Sequence, residues 1–214
     1  MSIVIEHEKR RRDILEHALD VFVDEGFEAA TFQKIADRSN ITRTTLYLYF
    51  KNKKDIFNYS IKQLMGVVEA DILRVRQEAG LMSGDKLIRV LSVIMDRLEE
   101  NRRLLSVVLD YLRGLSKGEG APDPGTRVRR RTIRLRHILA TMVIDGIREG
   151  AFRPITVRNV DDLLYGLLEA AIFRLTVLNR PSVEELKQAA ALAIHQMSAE
   201  QEAIRGRHGV AVSS

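Results

Sequence analysis

The chain has 214 residues, a formal net charge of +5, 45% hydrophobic residues and no cysteine. That length allows a sizeable core, and the lack of cysteine excludes disulfides, thiolate metal sites and cysteine nucleophiles. Ile3-Val4-Ile5 is too short for an export signal and no run of ~20 apolar residues exists, so a soluble cytoplasmic protein with no membrane partner is expected.

Helical spacing dominates throughout, and no convincing period-two run with turn signals interrupts it, so the fold class expected is all-α. The first helix runs from about Glu8 to Glu25, with Ile14, Ala18 and Phe22 on one stripe and Leu15 and Leu19 beside it. Gly26 ends it, with Phe27 placed for the apolar contact that accompanies a glycine cap. A short helix follows Thr31, whose hydroxyl caps orphan amides, and continues through Ile35 and Ala36. Ser39-Asn40 makes a turn, since asparagine tolerates the left-handed conformation, and Thr42 caps the next helix. A long helix from about Lys53 to Ala79 comes next, then helices near 84–99, 101–117, 126–149, 160–179 and 183–204. Gly150 closes one of them, Ser182 to Glu185 matches a capping box, and the Gly- and Pro-rich residues 118–125 read as a loop. The expected division is 1–52 as a helix-turn-helix domain, 53–204 as a helical domain and 205–214 as a disordered tail.

Charge narrows the reading. Residues 1–57 balance ten Lys/Arg against ten Asp/Glu, yet residues 31–54 hold Lys34, Arg38, Arg43, Lys51, Lys53 and Lys54 against Asp37 alone. Two short helices joined by a tight turn and braced by a third are the unit that places one helix in the DNA major groove. With Leu46 and Phe50 pointing inward, Arg43, Thr44 and Tyr47 lie on the other side. Arg43 suits guanine O6 and N7, while the methyls of Thr44 and Thr45 suit a thymine methyl. Tyr47 and Lys53 suit phosphate, with Gln33 and Lys34 as further backbone candidates. Thr31, Thr42 and Tyr49 complete the DNA-contact set, ordinary packing being the alternative for the two tyrosines.

Gly26-Phe27, Thr31, Ile35-Ala36, Thr45-Leu46-Tyr47-Leu48-Tyr49-Phe50 and Lys53 stand in the order and spacing of the tetracycline-repressor (TetR-like) family signature, which the chain resembles over about Arg10 to Phe57. Asn40 and Thr42 replace the frequent Gly and Ser of the turn and keep its chemistry. Thr44 replaces a frequent Gly and bears on operator sequence.

The resemblance implies a ligand-responsive regulator, commonly a repressor, that binds a pseudo-palindromic operator. It also implies a C-terminal effector pocket and a homodimer through helices about 160–179 and 183–204. Gly166, Ala170 and Ala171 on the first of these, and Ala189, Ala190, Ala191 and Ala193 on the second, permit close helix approach, as ordinary packing would too. Polar residues interrupting apolar stretches, Asp110, Tyr111, His137, Tyr165 and Glu169, are the ligand-binding candidates. Met95 and Met142 read as core. The arginines at 127, 129, 130, 131, 134 and 136 read as a solvated face partnered by acids, an anionic ligand or a second phosphate contact being the alternative.

A nonspecific architectural DNA binder and a helical enzyme are the rivals. The five histidines, His7, His17, His137, His195 and His208, show no His-Glu-x-x-His spacing. Neither a phosphate-cradling glycine loop nor a Gly-x-Ser-x-Gly elbow is present, so no catalytic residue, metal or cofactor is expected.

Overall fold

A computed structural model describes the backbone of residues 2–115 and 124–199 and the side chains of residues 5–112 and 132–199. Within them run α1 (Ser2–Glu25), α2 (Phe32–Arg38), α3 (Arg43–Tyr47), α4 (Lys53–Gln77), α5 (Ser83–Glu100), α6 (Arg102–Leu115), α7 (Pro124–Arg148), α8 (Val157–Thr176) and α9 (Glu184–His195). The fold is all-α, as the periodicity predicts. α1 starts well before Glu8, since no glycine or proline interrupts the first turns. α7 starts at Pro124, inside the stretch read as a loop, because proline's missing N–H would be unsatisfied at a first helical position anyway. The rest of that loop, the 205–214 tail and the side chains of Arg127, Arg129, Arg130 and Arg131 lie outside the described residues.

The chain forms two compact units, Met1–Gly66 with Asn101–Pro124, and Val67–Glu100 with Gly125–Ser214. The expected boundary lay at residue 52, whereas these units part within α4, after Gly66. α6 belongs with the first unit because Leu104, Val107 and Tyr111, spaced to share one helix face, are buried in the same cluster as Ile14, Phe22, Phe27 and Phe57. The Tyr111 ring centroid lies 4.5 Å from that of Phe27 and 4.8 Å from that of Phe57.

In the second unit, α5 buries Leu87, Val90, Leu91, Ile94 and Met95, and α8 buries Val160, Leu164, Leu168, Ala171 and Leu175. Met95 and Met142 are core residues, as expected. Gly150 ends α7 at φ +73, and the absence of a side chain at Gly146 makes room for the Phe152 ring, which a Cβ there would overlap. α9 stops at His195, short of the expected 204, because the chain turns to pair with the α7–α8 connection. Arg153 N–H donates to the Met197 carbonyl at 3.0 Å and Ala199 N–H to that of Ala151 at 3.1 Å. The capping box expected at Ser182 does not form: the N-cap is Val183, the Ser182 hydroxyl accepts from Glu184 N–H at 3.2 Å, one residue short of the box's partner, and the Glu185 carboxylate turns to Arg174 at 3.1 Å.

Carboxylates pin the helices of this unit. Asp71 on α4, 5% exposed, accepts from Arg97 of α5 at 2.8 Å and from Arg74 at 2.9 Å. Asp161 and Asp162 on α8 hold Arg136 of α7, and these hydrogen bonds raise the guanidinium above its ordinary pKa. Among the described residues, no helix is long and apolar enough to cross a membrane, and no group of three or more His, Cys, Asp or Glu is placed to hold a metal.

Candidate nucleic-acid interface

Local chemistry sets the shape of the segment from Gly26 to Phe57. Gly26 adopts φ +79 at the end of α1, and its N–H donates to the Phe22 carbonyl at 3.0 Å. The Thr31 hydroxyl caps α2 by accepting from Lys34 N–H at 3.2 Å. Ile35 and Ala36 turn inward, and Asn40 takes the left-handed conformation, φ +52, that reverses the chain. The Thr42 hydroxyl then caps α3, accepting from Thr45 N–H at 3.1 Å.

This start sets the rotation of α3. Leu46 is 0% exposed and Phe50 2% exposed, both packed into the first unit's core. The opposite face is therefore free, and it is built as two rows of residues one turn apart. Arg43 and Tyr47 form a polar row, the guanidinium donating to the Tyr47 hydroxyl at 3.1 Å, and Tyr47 is 49% exposed. Thr44 and Leu48 form an apolar row beside it, Leu48 being 74% exposed. Leu48 was no sequence candidate, although its spacing of four from Thr44 carried the signal.

Not every expected contact residue is available. Lys53 is not free for phosphate: its ammonium donates to the carbonyls of Phe27 at 2.8 Å, Glu28 at 2.8 Å and Ala30 at 3.0 Å, all three of its N–H bonds thereby engaged. These carbonyls belong to the α1–α2 connection, which no helix ladder satisfies, so Lys53 braces the motif. Lys34 pairs with Glu25 at 2.8 Å, Arg38 with Asp24 at 3.1 Å, and Gln33 donates to Asp37 at 2.7 Å. Acids at the end of α1 thus offset part of the positive segment. Arg43, Lys51 and Lys54 remain without an acidic partner among the described residues. Tyr49 is half-buried, its ring stacked on His7 with centroids 4.6 Å apart and its carbonyl accepting from Arg11 at 3.2 Å, which is the packing alternative. Thr31, Thr42 and Thr45 stay at the exposed edge of the motif, with the Thr42 and Thr45 hydroxyls 2.8 Å apart.

The ligand-binding candidates do not converge. Tyr111 is part of the first unit's aromatic core, and Asp110, His137 and Glu169 are exposed. Tyr165 is half-buried, with Arg136 5.1 Å above its ring and its hydroxyl 3.5 Å from that of Thr132. A cleft of about 510 Å³ in the second unit is lined by residues outside that set, among them Ser83, Asp85, Glu149, Phe152 and His195. The described members of the arginine run are paired, Arg134 with Glu69 at 3.5 Å and Arg136 with Asp161 and Asp162.

The family model of bacterial regulatory proteins, tetR family, matches residues 14–59, which take in α2, α3 and their brace. The fatty acid metabolism regulator protein of Bacillus subtilis (strain 168) is 26% identical over 178 residues, 74% of this chain and 79% of that protein. The probable acrEF/envCD operon repressor of Escherichia coli (strain K12) is 38% identical over 50 residues, 23% of each chain. Among solved structures, FadR from Bacillus subtilis in complex with stearoyl-CoA has a TM-score of 0.69 at 21% identity, covering 88% of this chain and 98% of that one, a likeness that concerns the fold. The exposed face of α3 and the family match fall on the same residues, so residues 14–59 are similar to the DNA-binding region of tetR-family regulators, and the chain is a DNA-binding transcriptional regulator.

Proposed function

We propose that this chain is a repressor, two copies of which read a pseudo-palindromic operator through α3 and release it when an effector binds the second unit. The observation that carries the reading is the rotation of α3. Burial of Leu46 and Phe50 leaves Arg43, Thr44 and Tyr47 outward on a helix of the size the major groove admits. Arg43 donates to a guanine edge and Tyr47 to phosphate, while the Thr42 and Thr45 hydroxyls sit at the same helix start.

Pairing through α8 and α9 is supported by an exposed apolar stripe. Leu163 and Phe173 lie on one face of α8 with Gly166 and Ala170 between them, Val177 continues that face at the C-cap, and Leu192 is exposed on α9. A Cβ on Gly166 would meet open space, so a second helix has room to approach. Two-fold pairing sets half-sites about one helical turn apart or slightly more. α4 has residues 53–66 in the first unit and 67–77 in the second, so an effector that prefers one tilt of α4 opposes DNA binding reciprocally. The B. subtilis FadR complex makes long-chain acyl-CoA the first effector to try.

Selection from a random duplex pool checks this, with a two-fold symmetric consensus expected. Fluorescence anisotropy at fixed salt then measures competition by shuffled duplex, and light scattering measures the mass. Equal competition by shuffled DNA, or a monomer at micromolar concentration, overturns the reading.

A further inference from the structure

The polar row of α3 accounts for a guanine and a phosphate, but it leaves Leu48 unexplained. At 74% exposed, this leucine shows more of its surface than any other large apolar residue described, and it sits within the face that the rotation of α3 turns outward. Its neighbour one turn earlier is Thr44, also exposed, whose methyl adds a second apolar group to that edge. Polar residues would suffice if the edge met only water or phosphate.

We infer that Leu48 is a specificity residue which, with Thr44, forms an apolar strip that reads a thymine 5-methyl in each operator half-site. The major-groove edge of thymine is the one that presents a methyl group, and an aliphatic side chain gains by covering it. A cytosine at that position lacks the methyl and sets an amino donor against Leu48, which has no acceptor, so this leucine both favours thymine and disfavours its closest rival. Burial of one methyl is worth about 0.8 kcal/mol, which converts to roughly fourfold in affinity. The two rows of the helix then divide the half-site, Arg43 taking guanine and the Thr44–Leu48 edge taking thymine.

This inference rests on the operator-binding reading, and the experiment separates the two. The operator selected by the wild-type chain is synthesised with each thymine of one half-site replaced in turn by deoxyuridine, which removes the 5-methyl alone. Anisotropy is measured at fixed salt for the wild type, L48A and L48M. One deoxyuridine position is expected to weaken the wild type and L48M by roughly fourfold and L48A by clearly less, because only the Thr44 methyl still faces it. Since Leu48 is exposed, L48A is expected to melt at the wild-type temperature. If L48A discriminates thymine from deoxyuridine as the wild type does at every position, or loses affinity equally on both duplexes, the thymine-reading role is overturned while operator binding stands. If the wild type selects no consensus, the operator reading falls and this inference with it.

Discussion

Charged residues do different work in the second unit and around α3. In the second unit, cations act as pins between helices: Arg97 joins α5 to the buried Asp71 of α4, and Arg136 joins α7 to Asp161 and Asp162 of α8. In the first unit, Lys34 and Arg38 are paired and Lys53 is enclosed by carbonyls, while Arg43, Lys51 and Lys54 have no acidic partner among the described residues. A run of like charges is therefore not itself an interface. Within residues 31–54, subtracting the intramolecular partners leaves Arg43, Lys51 and Lys54.

Substitutions in the two units test the contrast. Leu46→Ala carries the largest expected effect, about 2–5 kcal/mol of stability, because a side chain with no exposure leaves a cavity beneath α3. Chemical denaturation is expected to show the loss, with binding to every duplex falling together. Lys53→Met removes three charge-assisted hydrogen bonds and is expected to cost about 2–3 kcal/mol of stability. A phosphate-binding lysine would instead leave the melting temperature unchanged and reduce the salt dependence of binding, so the two measurements together decide the residue's role. Arg43→Ala is expected to leave stability untouched and to lose about 1–3 kcal/mol of binding at one operator position, which a panel of single-base operator variants resolves. An equal loss on all duplexes would make Arg43 a backbone contact. Arg97→Met is expected to cost about 1–2 kcal/mol, less than a fully buried pair because Arg97 is a third exposed and Arg74 still reaches Asp71. Its denaturation midpoint falls, while intrinsic operator preference stays as in the wild type.

The helix-turn-helix was legible in the sequence because each of its parts is a local choice. A glycine ends α1, a threonine starts α2, an asparagine turns the chain and a second threonine starts α3, and each acts within four residues of itself. The inward stripe of Leu46 and Phe50 follows from helical period alone. The bracing bonds of Lys53 were not legible, because their acceptors lie 23 to 26 residues earlier, a separation that no local pattern reports. The effector candidates do not converge for a related reason. A polar residue within an apolar stretch signals a half-buried position, but only packing decides whether it faces a cavity, a neighbouring helix or solvent, and Asp110, His137 and Glu169 face solvent.

Composition and period determined that the chain is helical, where most helices lie and which side of α3 turns outward, since these depend on residues three or four apart. Tertiary packing decided that α6 joins the DNA-binding unit through Tyr111, that Lys53 braces a loop and that α9 ends where its chain pairs with residues 151–153. Those outcomes are fixed by contacts between residues far apart in the chain, where burial of a ring or satisfaction of a carbonyl outweighs any local preference.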